Sequence, residues 1–341
     1  MKKLLAEEHP ELVHYTNATG LMGIVQSQNL WATHYAHLND AEEIRHFLVR
    51  RLPGILRSDI VEYMKEDQEL HSIINREGGV DQSVKKFLDP IISKLLSEQS
   101  GEEPLAEPYI ASFCALSKND QVNKHGLLSQ WRGYGRDGGY AIVFNTASLG
   151  KLLNESGKRW KNGGNLFGGD VIYSSDSDEK FSDEFKENLD VIIGFFQDVL
   201  KNNRDSKHVE KIYMALMDCA CRYKHWGFKE ENEVRFIAMP NNKEVCSFAR
   251  SDGSIVVEMQ RKHFLRSGTI VPFIDLFEHI TSTVEKPLPN QLGLPIKRVI
   301  IGPSVNDQEM RKKIRAVEIL FDQNAMKADV SISEIPYRDN K

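Results

Sequence analysis

Strand-like alternation occurs at the beginning, in the middle and near the end of this 341-residue chain, and long helical patterns fill the intervals. Parallel sheets need a crossover helix between successive strands, which gives a regular strand–helix alternation. Here the helices are grouped instead, so the order predicts α+β. No GxGxxG or GxxxxGK[ST] segment lies between a strand and a helix, which leaves out the standard nucleotide cradles.

The strand-like segments are ELVHYT (11–16), LWATHY (30–35), YIASFCAL (109–116), YAIVFN (140–145), GDVIYS (169–174), EVRFIAM (233–239), SIVVEM (254–259), KRVIIG (297–302) and DVSISEI (329–335). Leu21, Ile24, Val25 and Gln28 follow the first at helical spacing, and Asn29 is read as a left-handed cap. Asp40 and Glu43 form a capping box ahead of Ile44, Phe47 and Leu48. Further helices are read over 58–98, 182–203, 208–223 and 307–323. The chain is therefore expected to be a single α+β domain, 1–341, with helical insertions at about 41–100 and 182–225, candidates for regulation or dimer formation.

With 44 Lys plus Arg against 49 Asp plus Glu, the formal net charge of −5 does not draw the chain onto nucleic acid or anionic lipid by its overall field. The longest apolar stretch, VIIGFFQDVL (191–200), is far short of the roughly 20 residues of a membrane helix. Glu7 and Glu8 interrupt the start before a signal-peptide core develops. Cys114, Cys219, Cys221 and Cys246 show no CxxC pair, as expected of free thiols in a reducing cytoplasm. A cytoplasmic protein with no membrane partner is expected.

Four groups of residues can carry chemistry. On a strand His14 and Thr16 share a face opposite Tyr15. They make a polar platform for a ribose or phosphate, or else a backbone-bonded His and a Thr that caps the next helix. His34, His37 and Asp40 recur every three residues, but Asp40 is needed as a cap and no further ligand is evident, so no metal is expected. In SQWRGYGRDGGYAIVF, Trp131 and Tyr134 flank Arg132 before a glycine-rich turn. These side chains can stack a planar base and hold a pyrophosphate, or be a core Trp beside a surface Arg. In FKEENEVRFIAM an extended run puts Glu231, Glu233, Arg235 and Ile237 on one face and Val234, Phe236 and Ala238 on the other. Arg235 can hold Glu233 ionised and fixed in direction. The row lines a cleft or forms the solvated face of an edge strand.

Taken together, these segments resemble a bacterial family of uncharacterised proteins, domain of unknown function 2971. The likeness rests on His14-Tyr15-Thr16, Leu30–Thr33, Leu38–Glu43, Ser112-Phe113-Cys114, Leu127–Gly135, then Phe228, Glu231, Glu233 and Arg235, and Val299–Pro303. More distantly the chain is similar to the ADP-ribosyltransferase superfamily, with a His on the first strand and a Glu on a late strand, matched by His14 and Glu233. That resemblance implies a split, mixed or antiparallel sheet and NAD as substrate. Glu233 would meet the nicotinamide-ribose 2′-OH, and His14 with Tyr15 and Thr16 would orient the adenosine side. Trp131 and Tyr134 would stack nicotinamide, Arg132 or Arg136 would clamp the pyrophosphate, and Glu231 would activate the acceptor. Tyr134, Trp131 and Ser112 are alternatives for the middle residue. The implied activity is ADP-ribose transfer to an unknown macromolecule or to water, in the manner of toxins or phage-defence effectors. The alternative is a module that binds a nucleotide or nucleic acid without turnover.

Overall fold

The computed structural model describes residues 5–39, 42–96, 107–116, 119–134, 139–160, 162–175, 183–201, 209–277, 293–303 and 307–336. The chain divides into two compact units, Met1–His34, Tyr109–Asp170 and Lys229–Lys341 in the first, Tyr35–Pro108 and Val171–Phe228 in the second. In chain order the first unit opens with α1 (Leu5–Glu8), β1 (Glu11–Thr16), α2 (Ala18–Ser27) and β2 (Trp31–His34). The second follows with α3 (Glu42–His46), a π-helical turn (Phe47–Arg51), α4 (Leu52–Glu66), α5 (Gln68–Arg76) and α6 (Val80–Leu96). β3 (Tyr109–Ala115), α7 (Asp120–His125), α8 (Leu128–Tyr134), β4 (Tyr140–Asn145), α9 (Thr146–Arg159) and β5 (Gly164–Asp170) return to the first. β6 (Ile172–Ser174), α10 (Lys186–Leu200), α11 (Val209–Arg222) and β7 (Tyr223–His225) complete the second. β8 (Glu233–Pro240), α12 (Lys243–Ser251), β9 (Arg261–Arg266), β10 (Thr269–Asp275), β11 (Ile296–Ile301), α13 (Asp307–Gln323) and β12 (Asp329–Ile332) complete the first.

The protein is α+β, with a mixed, mostly antiparallel sheet of ten strands among the described residues. Only β11 and β12 pair in parallel within it. β3 is the branch point. β8 runs antiparallel along one edge of β3 from Tyr109 to Cys114. The other edge is shared: β1 pairs at Cys114 and Ala115, and β2 at Tyr109 and Ile110. The sheet therefore forks, with β1-β4-β11-β12 on one limb and β2-β10-β9 on the other.

Local rules explain the pieces. Asn17 caps α2 by accepting from the Gly20 N–H at 2.9 Å, satisfying one of the helix's free donors. Asn17, not Thr16, is the cap; Thr16 Oγ1 instead packs where a Gly20 side chain would stand. Gln28, not Asn29, adopts the left-handed turn that ends this helix, with φ 49°. Asn29 is occupied elsewhere, its Oδ1 accepting from the Leu30 and Phe277 N–H groups. Asp40 of the proposed capping box, and the turn at Asp137-Gly138, lie outside the described residues.

Residues 254–259 form no strand. The strand-like run there has another cause: the segment lies over Gly163 and Gly164, where added side chains would strike the Val257 carbonyl and the Met259 thioether, and only Met259 is buried. The strands that follow, β9 and β10, were not read from the sequence. They form a hairpin around Ser267 and Gly268, both at positive φ, as a tight two-residue turn requires.

Each face of the sheet carries its own core. Leu12, Ile142, Phe144, Phe113, Val234 and Phe236 pack on one face, joined by Leu21, Ile24 and Val25 of α2, Leu149 and Leu152 of α9, and Val317 and Phe321 of α13. Val13, Tyr15, Ala141, Val143 and Ile300 pack on the other, with Trp131 of α8. The second unit packs helix on helix, with Phe87 edge-on to Phe196 at 5.0 Å between ring centroids. The segments read as helical insertions lie within it. Among the described residues no helix is long and apolar enough to cross a membrane.

Candidate functional site

The fork in the sheet places β1, which carries His14, and β8, which carries Glu233, on the two edges of β3. Between its contacts with β1 and β2, the shared edge of β3 has Ser112 at its centre. His14 reaches across and donates from Nδ1 to the Ser112 carbonyl at 2.9 Å. A carbonyl only accepts, so Nδ1 carries the proton and the neutral ring presents Nε2 as an acceptor. Burial pushes the His14 pKa down, opposed by the bond to Ser112, so the neutral form is favoured. The ring also packs on Phe113, 5.5 Å between centroids.

Strand β8 carries the acidic centre. It is buried along its whole length and paired on both edges, by β3 and β5, so it is an inner strand and not a solvated edge. Glu233 is 5% exposed and Arg235 3% exposed. Arg235 donates from Nε to Glu233 Oε1 at 2.8 Å and from Nη2 to Oε2 at 3.1 Å. This two-point contact fixes the carboxylate plane. Glu231 does not continue the row. Asn232 sits at φ 44°, turning the chain between the two acids, and Glu231 is half-buried in the turn that precedes β8.

Register decides which side chains meet. Val13 lies opposite Cys114, and Cys114 opposite Glu233, so these three share a face. Ser112 and Arg235 are likewise opposite each other and on that face. His14, next to Val13, points to the other face with Thr16. The structure thus does not put His14 and Glu233 on one side of the sheet, as the two-residue site required. Their strands are two steps apart, on either edge of β3. Cys114 and Ser112, half-buried, share the Glu233 face. Their alternation in SFCA is the signal for Cys114, which the sequence reading did not assign to the site.

Trp131 and Tyr15 belong to the core, not to an open stacking surface. Trp131 is 1% exposed, and its Nε1 donates to the His125 carbonyl at 2.9 Å. Tyr15 meets it edge-on at 5.0 Å, and the Tyr15 hydroxyl accepts from the Leu127 N–H at 2.8 Å. Burial raises the Tyr15 pKa far beyond the usual phenol range, with the nearby Cys114 adding to the shift. Glycines make room for the indole: a side chain on Gly126 would come within 2.6 Å of it, and one on Gly302 within 3.1 Å. Arg132 and Tyr134, by contrast, are exposed at the end of α8. Tyr15 of HYT and Gly302 of IIGP therefore meet around the buried ring of Trp131.

Among the described residues, one group brings histidine and carboxylate atoms within metal-binding reach: Glu8, His9 and Asp170. His9 Nε2 and Asp170 Oδ1 are 2.6 Å apart, a charge-assisted hydrogen bond that raises the His9 pKa. A proton explains that contact without an ion.

No curated protein and no solved structure matches the chain. Residues 130–236, which run from α8 through the first half of β8 and include Trp131, Arg132, Tyr134, Glu231, Glu233 and Arg235, match a family model described as Protein of unknown function (DUF2971), and this match supports that family.

Proposed function

We propose that the chain is an NAD-using enzyme of the ADP-ribosyltransferase kind, with the forked sheet as its split core and the dinucleotide passing through the fork, its adenosine end on the His14 face and its nicotinamide end on the Glu233 face. The observation that carries this reading is the divergence of β1 and β2 from one edge of β3, beside a fixed carboxylate on the next strand. His14 Nε2 would accept from a ribose hydroxyl, Thr16 standing on the same face. Glu233 would accept from the nicotinamide-ribose 2′-OH and oppose the positive charge that develops at C1′, an interaction stronger in the transition state than in the ground state. Arg235 positions Glu233. Exposed Arg132 and Tyr134 would meet the pyrophosphate and the nicotinamide ring. The C1′–N bond breaks with its electron pair going to nicotinamide, which leaves neutral. The acceptor oxygen or nitrogen, on a macromolecule or water, bonds to C1′ and gives its proton to Glu231.

The test is incubation of the full chain with NAD, followed by mass spectrometry of small molecules and macromolecules. Nicotinamide release is expected, reduced at least about 100-fold in Glu233→Gln with an unchanged circular dichroism spectrum. Absence of release from the unaltered chain, or full activity in that variant, overturns the reading.

One observation favours a second reading. Both Glu233 oxygens already accept from Arg235 in a nearly sealed position, as in a structural ion pair. The fork would then bind NAD, ADP-ribose or an oligonucleotide without turnover, and Arg132→Ala would weaken that binding.

A further inference from the structure

The second unit buries a cation that meets no carboxylate among the described residues. Phe47, Leu48, Leu52, Ile55 and Leu56 turn inward around the junction of the π-helical turn with α4. Arg51 stands four residues after Phe47 and four before Ile55, on the same inward stripe, and is 6% exposed. It closes the π-helical turn, a wide turn that recurs at functional sites.

The Arg51 guanidinium donates from Nη2 to Ser174 Oγ at 3.1 Å. That hydroxyl is itself buried and donates to the Ser175 carbonyl at 3.3 Å, so it offers a dipole and no charge. Arg51 Nε is buried without a hydrogen-bond partner. Arg222 in the same unit is equally buried, at 7% exposure, but its Nη1 meets Asp218 at 3.2 Å and its guanidinium lies 4.9 Å from the Phe185 ring centroid. Among the described residues Arg51 has no such acid.

A guanidinium does not escape burial by losing its proton, unlike a lysine or histidine. An enclosed charge of this kind is retained when an anion meets it. The planar donor fork matches the oxygens of phosphate, and the Ser174 hydroxyl beside it would donate to the anion on leaving the Ser175 carbonyl. Ser174 also lies opposite His225 on β7, a further polar neighbour. We propose that Arg51 and Ser174 form a binding site for a phosphoryl group, free or carried on a nucleotide. The site lies within the second unit and stands apart from the NAD reading.

The test uses the full chain in thermal unfolding and isothermal titration calorimetry, with inorganic phosphate, AMP, and adenosine as the phosphate-free control. A saturable rise in Tm with phosphate or AMP, and none with adenosine, is expected. Tighter binding of AMP assigns the group to a nucleotide, and equal binding to free phosphate. Arg51→Met is expected to weaken binding at least tenfold and, without added anion, to unfold above the unaltered chain because the enclosed charge is gone. If that variant does not fold, Arg51→Lys, which keeps charge and loses the fork, is expected to bind phosphate at least tenfold more weakly. No saturable response in the unaltered chain, an unchanged response in the variant that folds, or a lower anion-free Tm in Arg51→Met overturns the site.

Discussion

Two buried arginines, one in each unit, show two ways of enclosing a charge. On β8 of the first, Arg235 spends two N–H groups on Glu233, and the pair forms a neutral, directed unit inside the sheet. In the second unit Arg51 is about as buried, but its partner is a serine hydroxyl and its Nε has no hydrogen-bond partner among the described residues. Burial alone therefore does not reveal the role of a charge. A matched pair fixes geometry, whereas an unmatched one asks for something that the described chain does not supply.

Removing one partner of a buried pair strands the other, at a cost of about 3–5 kcal/mol. Arg235→Met is expected to lower stability by that amount in urea unfolding, and the double variant Glu233→Leu/Arg235→Met to recover most of it. Arg51→Met shifts stability the opposite way. Equal losses in the two single variants would erase the contrast between the units.

A smaller effect is expected at Gly302. A Cβ there would lie 2.9 Å from the Gly139 carbonyl and 3.1 Å from the Trp131 ring. Gly302→Ala is expected to cost about 1–3 kcal/mol through overpacking. A neutral result in the same urea assay would mean that the Trp131 cluster yields easily and that the first unit is less tightly determined than its ion pair implies.

The smallest effects lie in pH dependence, where two histidines of the first unit act in opposite senses. The His9 pKa is raised when folded, chiefly by its bond to Asp170, so its stabilisation is full below the unfolded value of about 6.5 and fades as pH rises through the folded value. The His14 pKa is lowered by burial, so stability is lost as pH falls below about 6.5, where the unfolded chain takes the proton first. Unfolding free energies measured between pH 5 and 8 are expected to lose the first trend in His9→Gln and the second in His14→Gln. Unchanged slopes would show that neither ring senses its surroundings in this way.

Much of the local structure was legible from neighbouring residues. Short apolar and β-branched runs located β3 and β4, and the spacing of charged and apolar residues located β8, because such runs suit strands buried on both faces. The ion pair was legible too, since Glu233 and Arg235 two apart on a strand must share a face. The β-branched run at 254–259 misled because an extended segment packed over glycines favours the same residues as a paired strand. Glu231 misled because a single left-handed residue, Asn232, ended the row. Trp131 had two readings, and its local sequence did not contain the residues that enclose it: Gly302 and Tyr15 come from far along the chain.

The sequence by itself determined the class of the fold, the grouping of its helices and the pairing of acid and base on β8, all of which follow from spacings of a few residues. Only the tertiary structure decided that β3 is shared by two strands, that His14 and Glu233 take opposite faces, and that Arg51 is enclosed with no acid among the described residues. Those facts depend on register and on which distant segments close over a side chain. Moving a strand by one residue exchanges its faces, and no spacing within the strand reports where its neighbour begins.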